Sequence, residues 1–369
     1  MTRLDRRHLL MGLGAALTAA PSLTVSAQRA VDAPSFDKFS RRLAEAEQNS
    51  KVHDLHALLV SQHGKLLFEH YGRGEDESGS SGPSVAVAFG PEVLHDLRSV
   101  SKSVVGLVYG IALADGKVPP PEAKLYEQFP EYTDLAKQPG RDRLTIGHVL
   151  SMTLGFDWDE FTIPYGGAGN SESAMEAAPD RFRYILERPI VSEPGIKWIY
   201  CGGATAILGR LIGTGTGEKL PAYARRVLFD PMEFGRSDWR VGADGEPRAA
   251  SGCRLLPRDM LKVGQLALAG GVWQGKQIVP SAWVKRITTP VVKIEGPNSF
   301  GYHWYIYDNM VGGQRQYWVG AIGWGGQRLY AFPELDLVVA MNCGNYHQTG
   351  MEQSRVNFAV LTDVVFPSL

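Results

Sequence analysis

Hydrophobic and polar positions alternate differently along the chain, and the changes of period divide it into elements. Residues 36–48 place apolar positions on one face of a polar stretch, which predicts an amphipathic helix. Leu55 to Val60 and Lys65 to Tyr71 are strand-like runs joined by Gln62-His63-Gly64, a β-hairpin pattern. Gly72 to Pro83 is rich in Gly, Ser and acids and reads as a mobile surface loop. From Ser99 to Ala114 the apolar residues Val104, Val105, Leu107, Val108, Ile111 and Leu113 run nearly all the way round a helix, so that helix is expected to be buried. Asp115-Gly116 ends it.

From 117 to 264 the chain is punctuated by Pro and Gly, with short helical stretches at Ile146 to Met152, Asp180 to Glu187 and Ala204 to Ile212. Strand patterns return at Gln316 to Ile322. Gln327 to Phe332 and Leu337 to Met341 form a second hairpin across Pro333-Glu334-Leu335-Asp336, and Met351 to Val365 reads as a closing helix. Strands at both ends with a helical middle predict a mixed α/β (α+β) fold. In it an antiparallel sheet is flanked by helices and carries an inserted, mainly helical domain. The expected limits are 28–116 with 265–369 for the sheet-containing domain and 117–264 for the insertion, with a cleft between them. No internal repeat is visible.

The first 27 residues are set apart by composition. Arg6-Arg7 precedes an apolar run from Leu9 to Ala20, then Pro21 and the small residues Val25-Ser26-Ala27. This order reads as a signal peptide, and the paired arginines suit the twin-arginine type, with a general secretory signal as the alternative. The run is shorter than the about 20 apolar residues that span a bilayer, and no cysteine follows it for a lipid anchor. A periplasmic or secreted protein without a stable membrane anchor is therefore expected.

Of the 369 residues, 44% are hydrophobic and 21% charged, with a formal net charge of −1. That is ordinary globular chemistry, and no basic block invites nucleic acid. Cys201, Cys253 and Cys343 are too far apart for a zinc site or a dense disulfide framework; a Cys253–Cys343 bridge is left open. No metal or cofactor is expected. His53 and His56 are not part of an H-E-x-x-H pattern. Gly270 to Lys276 falls short of a phosphate-binding loop because Gln277 stands where Ser or Thr is needed. No G-x-S-x-G elbow is present.

Ser99-Val100-Ser101-Lys102 brings a hydroxyl and an amine to one face of a helix, since positions i and i+3 are neighbours. A serine needs a base beside it to become a nucleophile. A lysine serves only when burial disfavours its charge. The spacing alone is cheap: Ser35-Phe36-Asp37-Lys38 has it too, in a polar segment. The structural alternative for Ser99 is a helix-capping serine with Lys102 stretching to water.

Leu97-Arg98-Ser99-Val100-Ser101-Lys102-Ser103-Val104-Val105-Gly106 resembles the nucleophile segment of the penicillin-recognising serine hydrolases. That superfamily comprises class C β-lactamases, DD-peptidases and the related esterases and aminohexanoate-dimer hydrolases. Further matches follow in order: Leu144 to Thr153 and Glu193-Pro194-Gly195 through Tyr200-Cys201-Gly202, then Arg258-Asp259-Met260 and Ile322-Gly323-Trp324-Gly325-Gly326-Gln327. The resemblance implies that Ser99 is acylated, with Lys102 and Tyr200 as the proton-handling pair and either as the acylation base. It implies that a cation beside the Tyr200 phenol lowers its pKa. It also places an oxyanion hole at the backbone N–H groups of Ser99 and Trp324.

Two departures narrow the substrate. Gly202 stands where the second motif carries an amide side chain. Ala321-Ile322-Gly323 replaces Lys-Thr-Gly, removing the cation that would meet a β-lactam or peptide carboxylate. The implied activity is hydrolysis of a small-molecule ester or linear amide. A β-lactamase or DD-peptidase is the first alternative, and a non-catalytic binding protein on the same scaffold is the second. Candidate substrate contacts are Tyr165 and Asn170 in a Gly-rich loop, with Gly202, Gly323 and Gly325; Asn170 reads equally as an Asx turn. His303 reads as a hydrogen-bonded strand histidine.

Overall fold

The computed structural model describes residues 33–77 and 85–369. The export signal expected over 1–27 lies outside the described residues. Helix α1 (Ala33–Gln48) leads into strands β1 (Leu55–Gln62) and β2 (Lys65–Tyr71), which turn at His63-Gly64 with both residues at positive φ. That is the backbone twist a two-residue hairpin requires. Part of the loop expected over 72–83 is instead a strand: β3 (Arg73–Asp76) pairs with β4 (Val85–Ala88). Its polar composition hid it, because a short two-stranded ribbon needs no apolar face.

Strand β5 (His95–Asp96) runs into helix α2 (Val100–Ala114). The middle of the chain supplies α3 (Thr133–Ala136), α4 (Ile146–Leu150), α5 (Ser171–Ala177), α6 (Arg181–Leu186), α7 (Gly202–Thr216) and α8 (Leu220–Ala224). It also supplies β6 (Asp238–Trp239) and β7 (Cys253–Leu255), which join β5 in a small sheet of order β5-β7-β6. After α9 (Pro257–Leu268) come the ribbon β8 (Val272–Trp273) and β9 (Lys276–Gln277), then α10 (Ser281–Ile287). The remaining strands are β10 (Val292–Lys293), β11 (Ser299–Phe300), β12 (Tyr305–Val311), β13 (Gln314–Gly323), β14 (Gln327–Phe332) and β15 (Leu337–Cys343). Helix α11 (Gly350–Ala359) and a wider turn over Val360–Val365 close the chain.

The main sheet has eight antiparallel strands in the order β10-β11-β12-β13-β14-β15-β1-β2, so the two ends of the chain meet where β15 pairs with β1. Side chains alternate across it. Ala57, Leu59, Val338 and Ala340 enter one core with α2, α7 and α9, whereas Leu58, Val60, Val339 and Met341 enter the other with Phe39 and Leu43 of α1 and Val360 and Val364. Covered on both faces, β1 and β15 read as continuous apolar runs rather than alternating ones. All three cysteines are buried and free. No helix among the described residues is long and apolar enough to cross a membrane.

Helix α2 is buried as its pattern requires, and glycines set how closely its neighbours approach. The Trp283 indole lies where a Cβ on Gly110 would stand, 2.0 Å from Cδ1, and its Nε1 donates to the Gly106 carbonyl at 2.9 Å. Gly110→Ala is therefore expected to destabilise the protein by about 1–3 kcal/mol through overpacking. Urea denaturation followed by tryptophan fluorescence checks this.

Candidate active site

The β5-β7 ladder fixes the approach to α2: Leu97 N–H donates to the Cys253 carbonyl at 3.0 Å. Arg98 follows at φ +46°, a left-handed conformation that costs energy for a side chain with a Cβ. Its backbone N–H donates to Asp96 Oδ1 at 2.9 Å, while its guanidinium pairs with Asp96 and Glu77. This kink delivers Ser99 to the helix N-terminus. There its side chain makes no capping hydrogen bond, so the Oγ is left for other partners.

Those partners are the predicted ones. Lys102 Nζ donates to Ser99 Oγ at 3.1 Å and to the Ala250 carbonyl at 3.0 Å, and it lies 4.8 Å from the Tyr200 ring centroid. Lys102 is only 3% exposed. It is neither stretching to water nor pairing with a carboxylate at contact distance, which removes the capping-serine alternative. In the second Ser-x-x-Lys match, Lys38 instead reaches the carbonyl of Leu369.

Tyr200 is buried and hydrogen-bonded to Ser99, but its phenol does not behave as the family pattern implies. Burial, then the nearby Glu160 carboxyl, push its pKa well above the ordinary tyrosine value, and the Ser99 hydrogen bond only counters them. The expectation that a cation lowers it is corrected: the phenol stays protonated, as a donor. Phe161 stacks on the Tyr200 ring at 5.0 Å between centroids.

The glycine of the third segment meets the nucleophile segment at backbone distance. A Cβ on Gly323 would lie 2.7 Å from the Leu97 carbonyl oxygen and 3.3 Å from Arg98 Cβ, so only glycine lets the end of β13 lie against the entry to α2. Trp324 comes next; its indole Nε1 donates to the Tyr346 carbonyl at 2.8 Å, and its ring meets Tyr165 edge-on at 6.0 Å. Tyr165, 39% exposed, is at the rim.

Two glycine-loop expectations are corrected. Asn170 is fully buried; its side chain caps α5 through Ser173 N–H and donates to the Ile163 carbonyl, so it braces the loop rather than facing a ligand. Gly325 donates its N–H to Gln353, and the Tyr346 ring fills the space beside its Cα, leaving no room for a substrate there. His303 is structural and neutral. Its Nδ1–H donates to the Leu150 carbonyl at 2.8 Å and its Nε2 accepts from Thr205 at 2.9 Å, although it lies in a bend rather than a strand.

Sequence reasoning missed the carboxyl groups behind the site. A Cβ on Gly202 would lie 3.0 Å from Glu160 Oε1 and 3.1 Å from Glu172 Oε2. The place of the missing amide is thus taken by two buried acids. Trp158 Nε1, Gly202 N–H and the Tyr165 hydroxyl all donate to Glu160, and the Ser251 hydroxyl donates to Glu172. Burial and the Glu172 charge raise Glu160 to about 8; Glu172 is lowered, with Lys102 the chief attraction working against its burial. Nothing in the pattern Asp157-Trp158-Asp159-Glu160 marks its third acid as the buried one. Among the described residues, no cluster of His, Cys, Asp or Glu is placed to hold a metal ion.

A protein-family model described as Beta-lactamase matches residues 47–357. A 6-aminohexanoate-dimer hydrolase of Paenarthrobacter ureafaciens is 24% identical over 341 residues, covering 87% of this chain and 81% of that one. Among solved structures, a family VIII carboxylesterase superposes with a TM-score of 0.69 at 15% identity, covering 92% of this chain and 99% of its own. A penicillin-binding protein homologue from Caulobacter crescentus gives 0.67 at 15% identity, with 92% and 99% coverage. At such identities these structures establish the shared fold.

Proposed function

The chain belongs to the β-lactamase family of hydrolases, and from that premise we propose that it hydrolyses a small ester or linear amide through an acyl-enzyme on Ser99. The observation carrying this reading is the Ser99 hydroxyl, unused as a helix cap and held by buried Lys102 and Tyr200. Lys102 accepts the hydroxyl proton as Oγ bonds to the substrate carbonyl carbon. The Ser99 and Trp324 N–H groups receive the oxyanion. Tyr200, a protonated phenol, passes a proton to the departing alcohol or amine and regains one from Lys102. Water then attacks the ester carbonyl, the same groups carry its proton to Oγ, and the acid leaves.

Ester or linear amide is favoured over a β-lactam or peptide substrate because the third segment has Ala321-Ile322-Gly323 and no lysine to meet a carboxylate. The named activities of the relatives, an aminohexanoate-dimer hydrolase and a carboxylesterase, are in line with this. The N-terminal Arg6-Arg7 segment supports export to the periplasm or medium as part of the same proposal.

Incubation with a fluorophosphonate, digestion and mass spectrometry test the nucleophile: the adduct is expected on the peptide carrying Ser99. Labelling elsewhere, or none, would overturn the reading. Parallel assays with p-nitrophenyl butyrate and nitrocefin rank the substrate classes, and equal turnover of the two would reverse the preference for the ester.

A further inference from the structure

The turn between β13 and β14 carries the third segment past the nucleophile, on a backbone with little stiffness of its own. Gly325 and Gly326 stand at φ +82° and +92°, conformations that glycine adopts without steric strain. The peptides of the turn are held from outside instead. Gln327 Nε2 donates to the Trp324 carbonyl at 3.3 Å, and Gln353 accepts the Gly325 N–H at 3.0 Å. The Gly325 carbonyl accepts from Asn345 N–H, and Asn357 Nδ2 donates to the Gly326 carbonyl at 3.1 Å. The carbonyl of Gly323 receives Arg328 Nη1 at 2.8 Å, and the same nitrogen reaches the Gln327 carbonyl at 2.9 Å.

Arg328 makes these contacts from a buried position, only 5% exposed. Burying a cation with no acid beside it is disfavoured. Arg254, similarly buried, pairs with Asp76, but among the described residues no carboxyl group pairs with Arg328. Register explains its reach: Arg328 stands opposite Ile322 across the β13-β14 ladder, one residue before the carbonyl it binds. The Gly323 C=O and the Trp324 N–H belong to one planar peptide, so fixing the oxygen fixes the direction of the N–H. A hydrogen bond from a cation is stronger than one from a neutral donor. It also polarises the amide, which makes the N–H a better donor in its turn. Gly323 at the head of that peptide already lies against Leu97 and Arg98, at the entry to α2.

We propose that Arg328 is a positioning residue for the chemistry at Ser99, aiming and polarising the Gly323–Trp324 peptide so that the Trp324 N–H receives the oxyanion. This rests on the serine-hydrolase reading above. Arg328 acts through that peptide and moves no proton. Acylation and deacylation both develop charge on the same carbonyl oxygen, so both steps depend on it. Its loss is therefore expected in kcat, with KM little changed.

The test compares the parent protein with Arg328→Met and Arg328→Lys, with active sites counted by fluorophosphonate titration. The readouts are hydrolysis of p-nitrophenyl butyrate and inhibition by butylboronic acid, whose tetrahedral adduct on a serine puts an oxygen in the oxyanion site. In Arg328→Met, kcat per site is expected to fall about 10–100-fold and the boronate inhibition constant to rise by a similar factor. Arg328→Lys keeps a cation and a donor, and is expected to recover part of both losses. A purely structural arginine would lower the titrated fraction and the unfolding midpoint, but leave kcat per site and boronate affinity unchanged. That result in folded Arg328→Met overturns the proposal, as does a folded lysine variant no better than methionine. If Arg328→Met does not fold, a crystal structure of the boronate adduct of the parent decides. An adduct oxygen at hydrogen-bond distance from the Trp324 N–H, with Arg328 still on the Gly323 carbonyl, supports the proposal; an oxygen held elsewhere overturns it. A parent that neither labels at Ser99 nor turns over the ester removes the hydrolase reading and this inference with it. A labelled, active parent with an unaffected methionine variant removes this inference alone.

Discussion

Ser99→Ala is expected to lower kcat for p-nitrophenyl butyrate by about 10⁵–10⁶, and Lys102→Met by nearly as much, with the double variant little worse than either. Groups that act as one unit lose most of their effect when any member goes, leaving only what the oxyanion donors and binding provide. The unit here is physical: Nζ contacts Oγ at 3.1 Å and is held there by the Ala250 carbonyl and the Tyr200 ring. Met keeps the volume of the lysine stem but offers no proton acceptor of comparable strength, so its loss reports on proton transfer rather than packing. Steady-state rates with circular dichroism as a folding control measure this. Additive losses in the double variant would show that the two residues act separately.

The second large effect is on stability. Three histidines are buried in neutral form: His56 is held down to about 3, and His95 and His303 to about 4, with burial the chief cause in each. His95 Nδ1–H donates to the Asp96 carbonyl, which leaves its Nε2 to accept from His56 Nδ1 at 2.9 Å. Another proton there would set two donors face to face. Because the folded values lie below the unfolded value of 6.5, the unfolded chain binds more protons than the native one as pH falls through 6.5. Stability is therefore lost on the acid side, by on the order of 1–2 kcal/mol per histidine between pH 7 and pH 5. Glu160 acts in the opposite sense, since its raised value makes stability fall as pH rises from 4.5 toward 8. Urea unfolding at pH 5 and pH 7 is expected to show a markedly lower midpoint at pH 5. Equal midpoints in Glu160→Gln, where the opposing carboxyl group is removed, would mean that these histidines are not buried neutral.

What could be read from the chain followed from period and spacing. The buried helix at Ser99, the two hairpins and the closing helix rest on local pattern, and the structure has them within a few residues. Ser99 and Lys102 meet because i and i+3 are neighbours in any helix, and Tyr200 was located by its setting in a motif. The Glu160–Glu172 pair was beyond reach for a definite reason. Burial of a carboxyl group depends on what folds over it, here Gly202 and Ser251 from distant segments beside the nearby Trp158 and Tyr165, and no local period records that. Asn170 illustrates the same limit from the other side. Its type suits both a ligand contact and a helix cap, and only the position of Ser173 N–H decides between them. Arg73 to Asp76 shows that a two-stranded ribbon can form from polar residues that read as a loop.

The pairing of β15 with β1 imposes an order on the birth of the molecule. Strand β1 ends at Gln62 and its partner begins at Leu337, so 275 positions separate the two ends of that seam. At about 5–20 residues per second of synthesis, the inner edge of the early hairpin waits on the order of 14–55 seconds for its neighbour. The hairpin formed by β1 and β2 can close at once, but Leu58, Leu59 and Val60 stay uncovered until the last strands emerge. Such a long closure also slows folding, because distant contacts repay their entropy only after the loop has formed. The nascent chain is thus a natural client for a holding chaperone, and the seam between its two ends is where an unfinished copy would pair with another.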